Sequence, residues 1–99
     1  MGRRALRKIN PSIDLSQHLK TFEQLPRPWD ASAIFGRSAP LEIEVGSGKG
    51  LFLRTAAAAR PDVDYLGIEV VQKYAEFTAA SLAKLGLPNA RIVAADALR

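Results

Sequence analysis

Apolar and polar residues alternate between positions 41 and 45, where Leu41, Ile43 and Val45 are separated by two glutamates. This period of two, in residue types that favour extended backbone, predicts a strand. Glycine then occupies every second position from Gly46 to Gly50, and an alanine-rich apolar run follows as far as Arg60-Pro61. The run predicts a helix that ends there, since proline cannot continue it. Strand, glycine turn and helix together should place free N–H groups and a positive helix end at one sheet edge.

The same alternation of elements continues to the end of the chain. Residues 63–71 form a second apolar run, which predicts a buried parallel strand. Residues 73–86 have an apolar face at helical spacing and end in Gly86, a good C-cap. Residues 91–96 predict a third strand. The order predicts an α/β fold, a right-handed parallel βαβαβ half-unit of a doubly wound, Rossmann-like sheet.

Residues 1–40 show little periodicity and contain several helix-breaking prolines. A short helix over residues 15–25 is the one regular element expected there. Trp29, Ile34 and Phe35 are expected to pin this segment against the domain that follows, although Trp29 could instead stack on a base. We therefore divide the chain into a basic arm with a lead-in segment, 1–40, and the N-terminal half of a nucleotide-binding-type domain, 41–99.

Length and composition limit the chemistry that the chain can carry. Ninety-nine residues allow one small domain. Cysteine is absent, so disulfide, thiol and cysteine–zinc chemistry are excluded, and no metal is expected. No apolar run approaches 18 residues and no signal-peptide pattern is present, which predicts a cytoplasmic protein without membrane attachment. His18, the only histidine, has no acid or nucleophile at a suggestive spacing and is interpreted as structural or exposed.

The net charge of +4 is concentrated at the N-terminus. Residues 1–20 carry five basic residues against one acidic residue, whereas the remainder carries nine of each. The basic arm comprises Arg3, Arg4, Arg7 and Lys8. Such arms bind phosphate backbones through salt-dependent contacts, but a solvated, frayed terminus explains the same residues equally well.

The glycine pattern separates three kinds of nucleotide site. A P-loop needs Gly-x-x-x-x-Gly-Lys-Ser/Thr, and the residue after Lys49 is Gly50. The dinucleotide fingerprint needs glycine where Leu51 stands. The pattern present is Glu-x-Gly-x-Gly-x-Gly, beginning at Glu44. An acid beside the loop would repel a pyrophosphate but suits a cationic sulfonium ligand with an amino group, such as S-adenosylmethionine (SAM).

Two further acids follow the later strands. Glu69 lies 23 residues beyond Gly46, near the spacing at which an acid binds ribose hydroxyls in nucleotide folds. Asp96 closes the third strand, where an exocyclic amine of adenine could be held. A solvated strand-end acid and a helix cap are the respective alternatives. With Glu44, these acids form a constellation at three successive strand ends.

Several stretches resemble the bacterial tRNA (guanine-N7-)-methyltransferases: residues 34–36, 41–50, 64–69 and 87–92. The resemblance implies a class I SAM-dependent methyltransferase fold and methyl transfer to N7 of guanine 46 in the tRNA variable loop. It implies that Glu44, Glu69 and Asp96 bind SAM together with Gly46, Gly48 and Gly50. It also implies tRNA contacts for the basic arm, although that match is looser.

The resemblance covers nearly the whole chain but only the first half of a family member. The groups that position guanine are expected beyond Arg99, so no catalytic residue is assigned. A three-strand half-unit would leave an apolar sheet edge and face uncovered, and we expect a truncated chain that cannot methylate unaided. Another SAM methyltransferase and a non-catalytic SAM- or RNA-binding module remain alternatives, and the oligomeric state is undetermined.

Overall fold

A computed structural model describes residues 8–97. Its strands and helices are β1 (Leu19–Thr21), α1 (Ala31–Phe35), β2 (Leu41–Val45), α2 (Leu51–Ala59), β3 (Asp64–Glu69), α3 (Gln72–Leu85) and β4 (Ala90–Ala94). The predicted order from β2 to β4 is confirmed, and each bound lies within about two residues of the expected one. Gly86 adopts the left-handed conformation at the end of α3, as a C-cap glycine should.

The four strands form one parallel sheet in the order β1-β4-β3-β2. Glu44 pairs with Gly67, and Gly67 pairs with Ile92, so these residues share one face of the sheet. Both α2 and α3 pack on that face. The carboxyl ends of β2, β3 and β4 therefore meet at one edge, to which the glycine loop also belongs.

The core lies between this face and the two helices. The sheet contributes Tyr65 and Ile92, and the helices contribute Leu53, Ala79 and Leu82, all at most 1% exposed. Small alanines on the buried face of α3 allow the helix to approach the sheet closely. This packing holds the first turns of α2 and α3 beside the strand ends.

The lead-in segment differs from the expectation of a helix over residues 15–25, which is wrong. Leu19, Lys20 and Thr21 instead form β1, paired in parallel with β4, and a single 3-10 turn follows over 22–24. The backbone N–H of Ile92 donates to the carbonyl of His18 at 2.7 Å at the start of this pairing. The sheet thus has four strands where three were predicted, because the free edge of β4 recruits a segment with no strand pattern of its own.

His18 has a structural role, as expected, and it is buried. Its Nε2 lies 2.9 Å from the Leu87 carbonyl, which can only accept, so Nε2 carries the proton. Its Nδ1 is buried and has no hydrogen-bond partner within residues 8–97. Burial lowers the pKa of His18 below its usual value, and the Leu87 contact opposes this only in part.

The outer edge and the second face of the sheet are largely open at β2. Ile43 and Val45 point away from the two helices and are 53% and 67% exposed. The expectation of an uncovered apolar edge is therefore confirmed. Trp29 is 50% exposed, so its anchoring role stays a prediction, whereas Phe35 is partly buried with the Arg91 guanidinium 5.0 Å from its ring centre.

Within residues 8–97, α3 is the longest helix at 14 residues, and no helix is long and apolar enough to cross a membrane. The same residues contain no group of three or more His, Asp or Glu side chains that could hold a metal ion.

Candidate functional site

The loop between β2 and α2 is built on three left-handed glycines. Gly46, Gly48 and Gly50 have φ angles of +77°, +57° and +80°. A side chain at any of these positions would be strained, since L-residues avoid this region. At Gly50 an added Cβ would also lie 2.5 Å from the Thr78 side chain, so α3 approaches this loop closely. The alternating glycines therefore set the path of the backbone into α2.

Four N–H groups of the loop donate hydrogen bonds within the protein. Those of Gly46 and Ser47 donate to the Ile68 carbonyl at 2.7 and 3.3 Å, and that of Gly50 donates to the Ser47 carbonyl at 2.9 Å. The N–H of Gly48 donates to Glu69 Oε1 at 2.6 Å. The expectation of free loop N–H groups is wrong at these four positions, because β3 supplies the acceptors for Gly46, Ser47 and Gly48, and the loop itself supplies the acceptor for Gly50. A loop whose N–H groups already donate within the protein is poorly suited to binding phosphate.

Two polar residues that the sequence analysis did not single out hold the loop from behind. Ser47 is only 8% exposed and faces Gly67, where a Cβ would overlap its hydroxyl. Thr78, fully buried in α3, donates its hydroxyl to the Gly48 carbonyl at 3.1 Å. A polar residue on the otherwise alanine-rich buried face of α3 was the available sequence signal for Thr78.

Glu44 lies on the helix-covered face near the end of β2, two residues before Gly46. Its Oε1 is buried and has no hydrogen-bond partner among the described residues. A buried carboxylate oxygen without a donor is costly, so such a group marks a place where a donor or a cation is missing. Glu44 can thus accept a hydrogen bond from a ligand, whereas the four loop N–H groups already donate within the protein.

Glu69 occupies the end of β3 and is only 6% exposed. Each of its oxygens already accepts one backbone hydrogen bond, Oε1 from Gly48 at 2.6 Å and Oε2 from Val71 at 2.9 Å. Glu69 therefore links the glycine loop to the start of α3. Each carboxylate oxygen has two acceptor positions, so a hydroxyl pair can still be bound by the positions that remain.

Asp96 lies two residues beyond the end of β4 and is exposed. It borders a cavity of about 360 Å³ at the carboxyl end of β4, whose other lining residues are Phe22, Glu23, Ala94 and Ala95. Phe22 belongs to the turn after β1 and is 50% exposed. Its position could not be predicted, because it depends on the unexpected pairing of β1 with β4.

The three acids form a staggered row across the sheet. Glu44 is level with Gly67, two residues before Glu69, and Glu69 is level with Ala94, two residues before Asp96. Each step of two residues along a strand is about 6.6 Å, and each step to the next strand is about 4.8 Å. The row is thus an extended acidic edge of the kind that an elongated ligand with several donor groups would fit.

The predicted RNA contacts are described only in part. Arg3, Arg4 and Arg7 lie outside the described residues. Lys8 is exposed and borders a cavity against α3, on the outer side of the helices. Lys49, in the glycine loop, is exposed.

Proteins similar to this chain include methyltransferases from several bacteria. A tRNA (guanine-N(7)-)-methyltransferase of Rhodopirellula baltica is 53% identical over 97 residues, which are 98% of this chain and 36% of that protein. Proteins of the same name match from Yersinia enterocolitica (42% identity; 96% of this chain, 46% of the relative) and Cutibacterium acnes (46%; 69% and 25%). The chain thus spans a quarter to a half of the length of these relatives.

Among solved structures, the YcgJ protein of Bacillus subtilis matches 57% of this chain and 23% of its own with a TM-score of 0.46 and 24% identity. A family model described as "Putative methyltransferase" matches residues 38–99. That match covers more than half of the chain and includes the glycine loop and the row of acids. The chain belongs to this methyltransferase family.

Proposed function

We propose that this chain forms the SAM-binding part of an enzyme that makes N7-methylguanine at position 46 of tRNA. The observation that carries the proposal is the row of Glu44, Glu69 and Asp96 around a loop whose N–H groups are internally bonded. The relatives that match nearly the whole chain are named for methylation of tRNA guanine at N7.

The residues fit the cofactor by their chemistry. The Glu44 oxygen, which has no hydrogen-bond partner in the described part of the chain, is suited to the ammonium group of the amino-acid part of SAM. Glu69 is suited to the ribose hydroxyls through its remaining acceptor positions, and Asp96 to the adenine amine. We assign Gly46, Gly48 and Gly50 to the loop that shapes this site. When bound, SAM supplies the methyl group as part of a sulfonium cation.

Methyl transfer to guanine requires no general base from this chain. N7 of guanine carries a lone pair and no proton, so the reaction depends on alignment rather than on a strong base. We place the groups that align guanine outside residues 1–99, and Arg3, Arg4, Arg7 and Lys8 as contacts to the tRNA backbone. The division into the arm and lead-in, 1–40, and the cofactor half, 41–99, belongs to the same proposal.

A chimeric enzyme tests this function. The 97 matching residues of the Rhodopirellula relative are replaced by those of this chain, and N7-methylguanine is measured in tRNA that lacks it. We expect product from the chimera, at least a hundredfold less from its Glu44→Ala and Glu69→Ala variants, and unchanged product from the exposed-site control Glu42→Ala. A folded chimera that binds S-adenosylhomocysteine but forms no N7-methylguanine would contradict the proposed substrate. Methyl transfer to tRNA by the 99-residue chain alone would contradict the proposed division of roles.

A further inference from the structure

A second cavity lies on the outer side of the two helices, away from the acidic edge. It measures about 350 Å³ and is lined by the N-terminal segment, by Arg54 of α2 and by one face of α3. The α3 residues are Phe77, Ala80, Ser81, Lys84 and Leu85. Their spacing of three or four residues is that of a single helical stripe, so this face of α3 forms the floor of a continuous groove.

The groove carries charge of one sign. Lys8, Arg54 and Lys84 come from three different segments, and no Asp or Glu is among the lining residues. Elsewhere in residues 8–97 the ion pairs join Arg37 to Asp64 and Arg60 to Glu42, so none of the three cations is used in an ion pair. Cations without partners on the walls of a shared cavity raise the local concentration of anions.

The floor of the groove favours an organic anion over a simple hydrated one. Phe77 and Leu85 contribute apolar surface between the charges, and Ser81 contributes a hydroxyl. Cationic walls with an aromatic side chain are the arrangement by which proteins follow a nucleic-acid strand, with phosphates on the cations and a base or sugar on the ring. An apolar wall also strengthens the attraction, because it lowers the local dielectric constant.

We propose that this groove, with Arg54 and Lys84 on its walls, binds the phosphate backbone of RNA. The proposal rests on the proposed function for the choice of RNA, and it adds residues that the N-terminal charge pattern did not indicate. Lys8, which lines the groove, is also the last residue of the basic arm in the sequence. Because α3 runs back from the carboxyl edge of the sheet, the groove extends from Phe77 away from the cofactor site.

Salt-dependent binding of tRNA to the full 99-residue chain tests the groove. Each phosphate contact contributes a slope of about 0.7 in log K against log salt, which is about fivefold in affinity at 0.1 M relative to 1 M. The double variant Arg54→Gln/Lys84→Gln should therefore bind about 25-fold more weakly at 0.1 M salt, with the slope reduced by about 1.4. The matched control Lys20→Gln/Arg60→Gln also removes two charges, and it should stay within about twofold of the unsubstituted chain.

Equal losses in the two double variants would show an effect of net charge alone and would overturn the proposal. Unchanged binding in the groove variant, or no tRNA binding by the chain, would overturn it as well. Calorimetric titration with S-adenosylhomocysteine separates this result from the proposed function. A chain that binds tRNA through the groove but does not bind S-adenosylhomocysteine would support the groove and refute the cofactor site. The reverse result would overturn the groove alone.

Discussion

Removal of the Glu69 carboxylate should weaken the fold as well as ligand binding. If Glu69 served only to bind ribose, Glu69→Ala would abolish binding and leave stability unchanged. The structure predicts a different outcome, because the two oxygens hold the N–H groups of Gly48 and Val71 at 2.6 and 2.9 Å. The loop and the first turn of α3 would lose their common acceptor.

The loss of stability follows from these two bonds. A hydrogen bond to a charged group contributes about 1.5–3 kcal/mol to stability, and a buried donor left without a partner adds to the cost. Because Val71 is 37% exposed, water can replace the carboxylate there, and we expect a total of about 3 kcal/mol for Glu69→Ala. Glu69→Gln keeps one acceptor and turns an amide toward the other N–H, so about 2 kcal/mol is expected.

Urea unfolding followed by circular dichroism measures both values. Glu42→Ala is the matched control, since Glu42 is an exposed strand residue whose ion pair with Arg60 should contribute at most about 1 kcal/mol. The unfolding slope should stay constant across the set, so that shifts in midpoint report stability. An unfolding free energy of Glu69→Ala within about 0.5 kcal/mol of the unsubstituted chain would refute the role assigned to Glu69 in holding the loop.

Three further predictions concern other parts of the framework. Gly50→Ala should lower the free energy of unfolding in urea by about 3 kcal/mol, and Gly46→Ala by about 1.5 kcal/mol. Both substitutions strain a left-handed residue, but only the alanine at position 50 would contact Thr78. Equal losses would contradict the close approach of α3 to the loop. Burial lowers the pKa of His18, so its contribution to stability is complete above the usual pKa near 6.5 and is lost as the pH falls through the lower folded value. The melting temperature should therefore decline between pH 7.5 and 5.5, less so in His18→Gln, and an identical decline in both chains would argue against this assignment. Asn89→Ala should cost about 3 kcal/mol, since its amide donates to three backbone carbonyls at 2.9–3.1 Å, and a thermal melt unchanged by the substitution would contradict that accounting.

The β2-to-β4 part of the fold could be predicted because its signals are local. Alternation in residues 41–45, proline at position 61 and glycine at position 86 each fix an element or its end within a few residues. By contrast, β1 consists of three residues that include Lys20, and it becomes a strand only because β4 has a free edge. No property of residues 19–21 alone distinguishes them from a loop.

In the candidate site, too, some features could be predicted from the sequence and others could not. The acids at strand ends could be placed from sequence, because parallel strands bring their carboxyl ends to one edge. The internal bonding of the loop could not, since three of its four N–H groups donate to Ile68 and Glu69 on the neighbouring strand. The expectation of free loop N–H groups was thus wrong, while the importance of Glu44 increased once its buried oxygen proved to have no hydrogen-bond partner among the described residues.

Calorimetric titration of the isolated chain with S-adenosylhomocysteine and, separately, with NAD tests the central claim most directly. We expect the chain to bind S-adenosylhomocysteine and not NAD, because Glu44 favours an ammonium group and repels a pyrophosphate. We also expect at least tenfold weaker binding in Glu44→Gln, since a charge-assisted hydrogen bond contributes about 1.5–3 kcal/mol. Binding of NAD alone, or a folded chain that binds neither ligand, would contradict the assignment of a SAM site to this chain.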